Sequence, residues 1–239
     1  MNRQILRLPV RPRPLPATGV MELWLTNLSF LALAEVGAAG GRVEQVRSRK
    51  LRQRFVLRLL LGSYLGCPGK DVRIQRGAHG KPELVPGSAR PSLQFSLSHS
   101  GDWLAVAVTR DQALGVDIER QRELPRALAL ARRFLSGAEA ERIESLPEPD
   151  RAQLFFRLWS RREALIKAMG SSLAESLSEI ELDPDRLIPT RLPSGWPQPA
   201  HWQFADPALP VGLVGALVTF PQPCRLVTLE LDCRPDLAA

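Results

Sequence analysis

The chain has 239 residues, of which 44% are hydrophobic and 24% are charged, a composition typical of soluble globular proteins. Its 32 Lys and Arg residues exceed its 25 Asp and Glu residues, and the formal net charge of +7 favours an anionic partner: nucleic acid, a phosphorylated small molecule or an acidic protein. Three scattered cysteines exclude a disulfide scaffold and predict a reducing, cytoplasmic location.

The first part of the chain predicts an arm, a strand and a long helix. Residues 1–18 are basic and proline-rich without the apolar segment of a secretory signal, and we expect a flexible arm there. Polar residues interrupt the apolar run that follows, which predicts a strand (21–28) and a short helix (31–36) and no membrane span. A helix is predicted at 43–65, with apolar residues on one face and arginines on the other.

The rest of the chain alternates predicted strands and helices. Strands are expected at 72–75, 95–100, 103–108, 113–119, 180–182, 214–219 and 226–231, with a Gly- and Pro-rich loop at 76–91. Helices are expected at 124–144, with an interruption at the capping residue Ser136, and at 152–169, which ends at Gly170. This order predicts an α+β fold of two lobes, 19–112 and 113–239.

Two acidic residues, Asp117 and Glu119, occupy alternate positions of the predicted strand 113–119. Alternate residues of a strand point to the same side, so both carboxylates face one way. Adjacent carboxylates repel unless a cation or a proton lies between them, and Mg²⁺ prefers oxygen ligands. An exposed strand end with Arg120 and Arg122 as ionic partners accounts for the same pattern, so the pair alone leaves both interpretations open.

The predicted helix 152–169 carries Trp159, Glu163 and Lys167 at intervals of four residues. This spacing aligns the three side chains along one edge of the apolar face. There the carboxylate can reach a cleft and the amine can reach a phosphate group. An ordinary surface Glu–Lys pair has the same spacing, so this motif alone also leaves two interpretations open.

Two short polar motifs precede the acidic strand. Ser98, His99 and Ser100 lie just before a glycine turn, and their side chains can donate hydrogen bonds to phosphate oxygens. Lys81 lies in a Gly-Lys-Pro turn that also suits a phosphate. The chain has no Gly-x-Ser-x-Gly motif, so nothing supports a serine hydrolase triad.

Taken together, these motifs resemble those of the surfactin-type 4′-phosphopantetheinyl transferase family. They are Gly80-Lys-Pro82, Phe95-Ser-Leu-Ser-His-Ser-Gly101, Gly115-Val-Asp-Ile-Glu119 and Trp159-Ser-Arg-Arg-Glu-Ala-Leu-Ile-Lys167. The resemblance implies two similar α+β lobes that form a pseudo-dimer, with the active site between them. It also implies transfer of 4′-phosphopantetheine from coenzyme A to a serine of an acidic acyl or peptidyl carrier protein, with release of 3′,5′-ADP.

The resemblance further implies a role for each matching residue. The implied Mg²⁺ ligands are Asp117, Glu119 and Glu163. The implied catalytic residues are Glu163, Lys167 and Glu139, and the implied coenzyme A contacts are Arg49, Lys50, Lys81, Ser98, His99 and Lys167. The base that takes the serine proton is left open between Glu163 and a metal-bound water helped by Glu139. The first lobe would then contact coenzyme A, and the second would bind the metal.

The chain departs from the family pattern at three places. Ser96 stands where many members have asparagine, and Arg162 replaces a common lysine, which keeps the charge but changes the donor geometry. Ser171 and Ser172 replace a basic residue and a glycine, which removes a cation near the expected nucleotide end of coenzyme A.

Two alternative functions follow from the charge pattern. A nucleic-acid-binding protein could use the arginine-rich helix, but the chain has one tyrosine and no aromatic residues interleaved with the basic ones. Another Mg²⁺-dependent phosphohydrolase would use similar carboxylates. We therefore expect no nucleic-acid or membrane partner, and two lobes in one chain favour a monomer.

Overall fold

The computed structural model describes residues 4–8, 10–31, 41–87, 93–221 and 223–234. Its strands are β1 (Gln4–Arg7), β2 (Val20–Asn27), β3 (Ile74–Arg76), β4 (Pro82–Leu84), β5 (Leu93–Ser100), β6 (Trp103–Arg110), β7 (Ala113–Arg120), β8 (Glu181–Leu182), β9 (Pro189–Arg191), β10 (Gln203–Ala205), β11 (Leu213–Phe220) and β12 (Arg225–Asp232). Its helices are α1 (Arg42–Leu65), α2 (Ala127–Phe134), α3 (Gly137–Glu144), α4 (Asp150–Met169) and α5 (Leu173–Ser176). The α+β class is confirmed.

The strands form two main sheets. The five-stranded sheet has the order β1-β12-β2-β6-β5, in which β12 runs parallel to β1 and β2 and the remaining pairs are antiparallel. The three-stranded sheet, β10-β11-β7, is antiparallel throughout. Two short ribbons, β3-β4 and β8-β9, lie outside these sheets. Strands β5 and β7 are therefore the edge strands of two different sheets.

Each main sheet is covered by one long helix, and the two sheets face each other. Buried residues of α1, including Leu60, pack against Trp24 and other apolar residues of the five-stranded sheet. Leu23 of that sheet packs against Val116 and Leu217 of the three-stranded sheet in a second core. Apolar residues of α4 cover the other face of the three-stranded sheet. Two helix-on-sheet halves thus meet through their sheets, as expected for two similar lobes.

Several segments differ from the sequence-based expectation. Part of the expected flexible arm, Gln4–Arg7, pairs with β12, and Leu6 packs on the first core. Strand β12 belongs to the five-stranded sheet, whereas we expected all of residues 113–239 in the second lobe. The expectation was wrong for β12 because strand periodicity does not show which sheet a strand joins. The expected loop 76–91 contains β4, which the proline at its start obscured.

The predicted short helix 31–36 lies outside the described residues apart from Leu31, which follows a 3₁₀ turn at Leu28–Phe30. The other predicted helices and strands are present, with ends that differ by a few residues. Among the described helices, none combines the length and the apolar character needed to cross a bilayer.

Candidate active site

Helix α4 lies directly against strand β7 at Gly115. A Cβ atom at Gly115 would come within 1.8 Å of the carbonyl oxygen of Ala164, so a larger residue would push the helix away. This close approach brings α4 side chains beside a carboxylate of the strand. Lys167 Nζ lies 2.6 Å from Asp117 Oδ1 and 3.5 Å from Glu163 Oε2.

Three carboxylates and one amine interact electrostatically at this point. Burial raises the pKa of Asp117 and of Glu119, and the charge of Glu163 raises both further. The positive charge of Lys167 acts in the opposite direction and lowers the pKa of both carboxyl groups. Burial lowers the pKa of Lys167, but the charges of Asp117 and Glu163 outweigh that effect, so its pKa is raised and the amine stays charged at neutral pH.

Ser98 connects the first half of the chain to this cluster. Its hydroxyl donates a hydrogen bond of 2.7 Å to Asp117 Oδ1 and accepts one of 3.1 Å from Lys167 Nζ. It also accepts the backbone N–H of Ile118 at 3.3 Å. The side chain that we expected at a phosphate is therefore bonded to the carboxylate and the amine.

These groups open onto a cavity of about 580 Å³ between β5, β7 and α4. Seven of the ten predicted site residues line it: Lys81, Ser98, His99, Asp117, Glu119, Glu163 and Lys167. Partial desolvation lowers the pKa of His99, and the charges of Lys167 and Arg49 lower it further. Burial likewise lowers the pKa of Lys81, whose amine donates to the carbonyl oxygens of Leu114 and Ala168, each at 3.5 Å.

The two remaining basic residues lie beside this cleft. Lys50 lines a neighbouring cavity of about 520 Å³, which shares Arg76 with the cleft. Arg49 forms an ion pair of 3.6 Å with Asp102. Their contact with coenzyme A stays a prediction.

Glu139 does not line the cleft. It is completely buried, contacts the guanidinium group of the equally buried Arg162, and accepts the backbone N–H of Ser136 at 2.8 Å as part of a capping box at the start of α3. Arg162 also donates to the carbonyl oxygen of Ile180 at 3.1 Å. Glu139 is therefore not among the acidic residues that line the cleft. The sequence did not reveal this, because it does not show that the partner of Glu139 is a buried arginine.

Two positioning contacts were missed from the sequence. Trp159 Nε1 donates a hydrogen bond of 2.8 Å to Glu163 Oε1, and Ser100 Oγ donates one of 3.1 Å to Glu119 Oε2. The first was detectable as a spacing of four residues on a helix. The second was not detectable, because β5 and β7 belong to different sheets and no sequence pattern shows that they lie side by side.

The donor set fits a hard divalent cation. In the described part of the chain, no three His, Cys, Asp or Glu side chains are already arranged to ligate a metal ion. However, Asp117 Oδ2 is buried without a hydrogen-bond partner, and the carboxylates of Glu119 and Glu163 line the same cleft. A buried carboxylate oxygen normally has a partner, and Mg²⁺ takes oxygen ligands. The chemistry of these residues therefore suits Mg²⁺.

Comparisons with known proteins find the same family in both halves of the chain. Residues 113–214 match the 4′-phosphopantetheinyl transferase superfamily, and residues 24–111 match the N-terminal domain model of 4′-phosphopantetheinyl transferase. The putative 4′-phosphopantetheinyl transferase slr0495 of Synechocystis is 32% identical over 75% of this chain and 73% of its own length. Sfp of Bacillus subtilis is 30% identical over 76% and 80%, and HetI of Nostoc is 38% identical over 57% of each chain.

Proposed function

Because the chain belongs to the 4′-phosphopantetheinyl transferase superfamily, we propose that its cleft binds coenzyme A and Mg²⁺ for this transfer. The enzyme moves 4′-phosphopantetheine from coenzyme A to a serine of a carrier protein. The observation that carries the proposal is the convergence of Asp117, Glu163 and Lys167 at one cleft. Acidic and basic groups together suit a metal-bound pyrophosphate.

The reaction forms one bond to phosphorus and breaks another. The carrier serine oxygen attacks the pantetheine-side phosphorus of coenzyme A, and the bond from that phosphorus to the bridging oxygen breaks. The electron pair leaves with 3′,5′-ADP. Lys167 stays charged and lines the cleft, so it stabilises the negative charge that develops on the leaving phosphate.

We assign the metal ligands to Asp117, Glu119 and Glu163. When bound, Mg²⁺ would neutralise charge on the phosphate oxygens. The base was left open between Glu163 and a metal-bound water helped by Glu139. Glu163 lines the cleft and Glu139 is completely buried, which supports Glu163 as the group that receives the serine proton.

We place the nucleotide end of coenzyme A towards the neighbouring cavity. Its lining residues are Lys50, Gln53, Arg54, Leu57, Arg58, Ile74, Gln75, Arg76, Pro82 and Leu97. Four of these are cationic and none is acidic, which suits the 3′-phosphate of coenzyme A. Cations of α1 would thereby compensate for the basic residue that Ser171 and Ser172 replace.

The net charge of +7 supports an acidic acyl or peptidyl carrier protein as the acceptor, from fatty acid, polyketide or nonribosomal peptide synthesis. Both sides of the cleft come from one chain, which supports a monomer. The three cysteines are free thiols, which supports the cytoplasm as the location. We propose no nucleic-acid partner.

The test is direct loading of carrier proteins. The protein is incubated with Mg²⁺, coenzyme A and a panel of apo carriers, and each carrier is examined by mass spectrometry. We expect a mass increase of one phosphopantetheine group on the carrier serine, and no increase with a chelator or with Glu163→Gln. Folded enzyme that modifies no carrier, but releases phosphate or nucleotide from coenzyme A, would indicate a phosphohydrolase instead.

A further inference from the structure

Three serine hydroxyls join the edges of the two sheets. Ser96, Ser98 and Ser100 alternate along β5 and are all buried. Each accepts a backbone N–H of β7, from Val116 at 3.1 Å, Ile118 at 3.3 Å and Arg120 at 2.8 Å respectively. Successive serines are two residues apart on β5, and the residues whose N–H groups they accept are two residues apart on β7. We call this set the serine ladder.

Two of the three ladder hydroxyls also bind a carboxylate. Ser98 donates to Asp117 at 2.7 Å and Ser100 donates to Glu119 at 3.1 Å. In both cases the serine accepts the N–H of one residue and donates to the side chain of the residue before it. Ser96 accepts in the same way, but the preceding residue there is Gly115, which has no side chain to bind.

A hydroxyl group carries a single proton, so a serine that donates to a carboxylate cannot donate to a phosphate at the same time. The hydrogen bonds of Ser98 and Ser100 are therefore committed to the acidic residues. Glutamate has several rotatable side-chain bonds, and a buried donor at its carboxylate restricts the orientations that it can adopt. Partners of this kind orient the carboxylate ligands of metal sites.

We propose that Ser100 is a positioning residue that holds Glu119 in place to bind the divalent cation, and that Ser98 holds Asp117 in the same way. This inference rests on the proposed function, because it assumes a cation at these carboxylates. It assigns the ladder to the metal site rather than to coenzyme A. It also explains why serines alternate at this edge: they replace the missing backbone partners of β7 and orient its acidic residues.

The test compares Ser100→Ala with Ser96→Ala. Both variants remove a hydroxyl that accepts an N–H of β7, but only the first also removes a carboxylate donor. Binding of Mn²⁺, which substitutes for Mg²⁺ and has a paramagnetic signal, is titrated on the protein without coenzyme A. We expect Ser100→Ala to weaken binding by about 10- to 100-fold and Ser96→Ala to leave it unchanged. Ser100→Thr, which keeps a hydroxyl, should restore binding.

Kinetics provide a second readout. With the carrier assay, Ser100→Ala should raise the Mg²⁺ concentration needed for half-maximal rate and leave the KM for coenzyme A unchanged. Thermal denaturation shows whether each variant is folded. If Ser100→Ala does not fold, Ser100→Cys, which is similar in size and a weak donor, replaces it in the same comparison.

The inference is overturned if Ser100→Ala and Ser96→Ala bind Mn²⁺ equally well. It is also overturned if the Ser100 variant raises the KM for coenzyme A alone. These failures are distinguishable from failure of the proposed function, in which the wild-type protein would load no carrier at any Mg²⁺ concentration. The Mn²⁺ titration does not depend on carrier loading.

Discussion

The indole nitrogen of Trp159 donates a hydrogen bond of 2.8 Å to Oε1 of Glu163, one helical turn further along α4. The indole ring is itself held by aromatic neighbours: Phe155 stacks on it at 5.8 Å between centroids, and Phe134 contacts it edge-on at 6.0 Å. The orientation of the carboxylate therefore depends on the packing of the second half of the chain.

Trp159→Phe tests this dependence. The variant keeps an aromatic ring but removes the N–H donor, so Glu163 loses the group that orients it. We expect kcat/KM for carrier loading to fall by about tenfold, as for other partners of metal ligands. Trp196→Phe makes the same chemical change outside the cleft lining and should leave the rate unchanged. Equal rates in the two variants would contradict the role of Trp159.

Lys167→Met tests the charge at the leaving phosphate. Lys167 Nζ lies 2.6 Å from Asp117 and lines the cleft, so its removal takes away the cation that we place at the pyrophosphate. We expect kcat to fall by about 10²- to 10³-fold, the usual effect of removing one group that stabilises transition-state charge. Lys70→Met, at an exposed lysine, is the matched control and should load carriers at the wild-type rate.

Gly115→Ala tests the close packing of α4 on β7. The new methyl group would lie 1.8 Å from the Ala164 carbonyl oxygen, so the helix must shift. We expect a loss of about 1–3 kcal/mol in the free energy of unfolding, measured by urea denaturation, together with reduced carrier loading. Gly137→Ala adds the same methyl group where no atom lies within 4 Å apart from its chain neighbours and the backbone of its own helix, and it should be close to neutral. Similar stability in both variants would contradict the packing argument.

The sequence predicted which acidic and basic residues of the candidate site share a face of one strand or helix. It did not predict which residues from other strands and helices contact them. Strand periodicity placed Asp117 and Glu119 on one face, and helix periodicity aligned Glu163 with Lys167, because both depend on neighbours along the chain. The serine ladder joins strands whose backbones do not pair, so no local pattern reports it. The position of Glu139 depends on the burial of Arg162, which a charged residue type does not suggest.

Arg54→Gln tests the position of the nucleotide end. Arg54 lines the cationic cavity beside the cleft, where we place the 3′-phosphate. We expect the KM for coenzyme A to rise by about tenfold, which corresponds to loss of one charge-assisted hydrogen bond. The KM for dephospho-coenzyme A, which lacks the 3′-phosphate, should not change. Arg132→Gln, at an exposed arginine paired with Glu144, should affect neither substrate. Equal effects on both substrates would place the 3′-phosphate elsewhere.

The buried pair of Glu139 and Arg162 allows a structural role to be separated from a catalytic one. Both side chains are inaccessible to solvent, so removing one partner leaves an uncompensated charge in the interior. We expect Arg162→Met to lower the free energy of unfolding by about 3–5 kcal/mol. Replacing both residues, Glu139→Met with Arg162→Met, removes both charges and should recover much of that loss, because a hydrophobic pair of similar volume can replace a buried ion pair.

Carrier loading by the double variant then decides the role of Glu139. If its carboxylate only fixes the start of α3 and the position of α4, a refolded double variant should retain a substantial kcat, because Glu163 and Lys167 remain at the cleft. If Glu139 takes part in activating the acceptor serine, the double variant should be stable but inactive. We expect the first outcome, since Glu139 is completely buried and does not line the cleft.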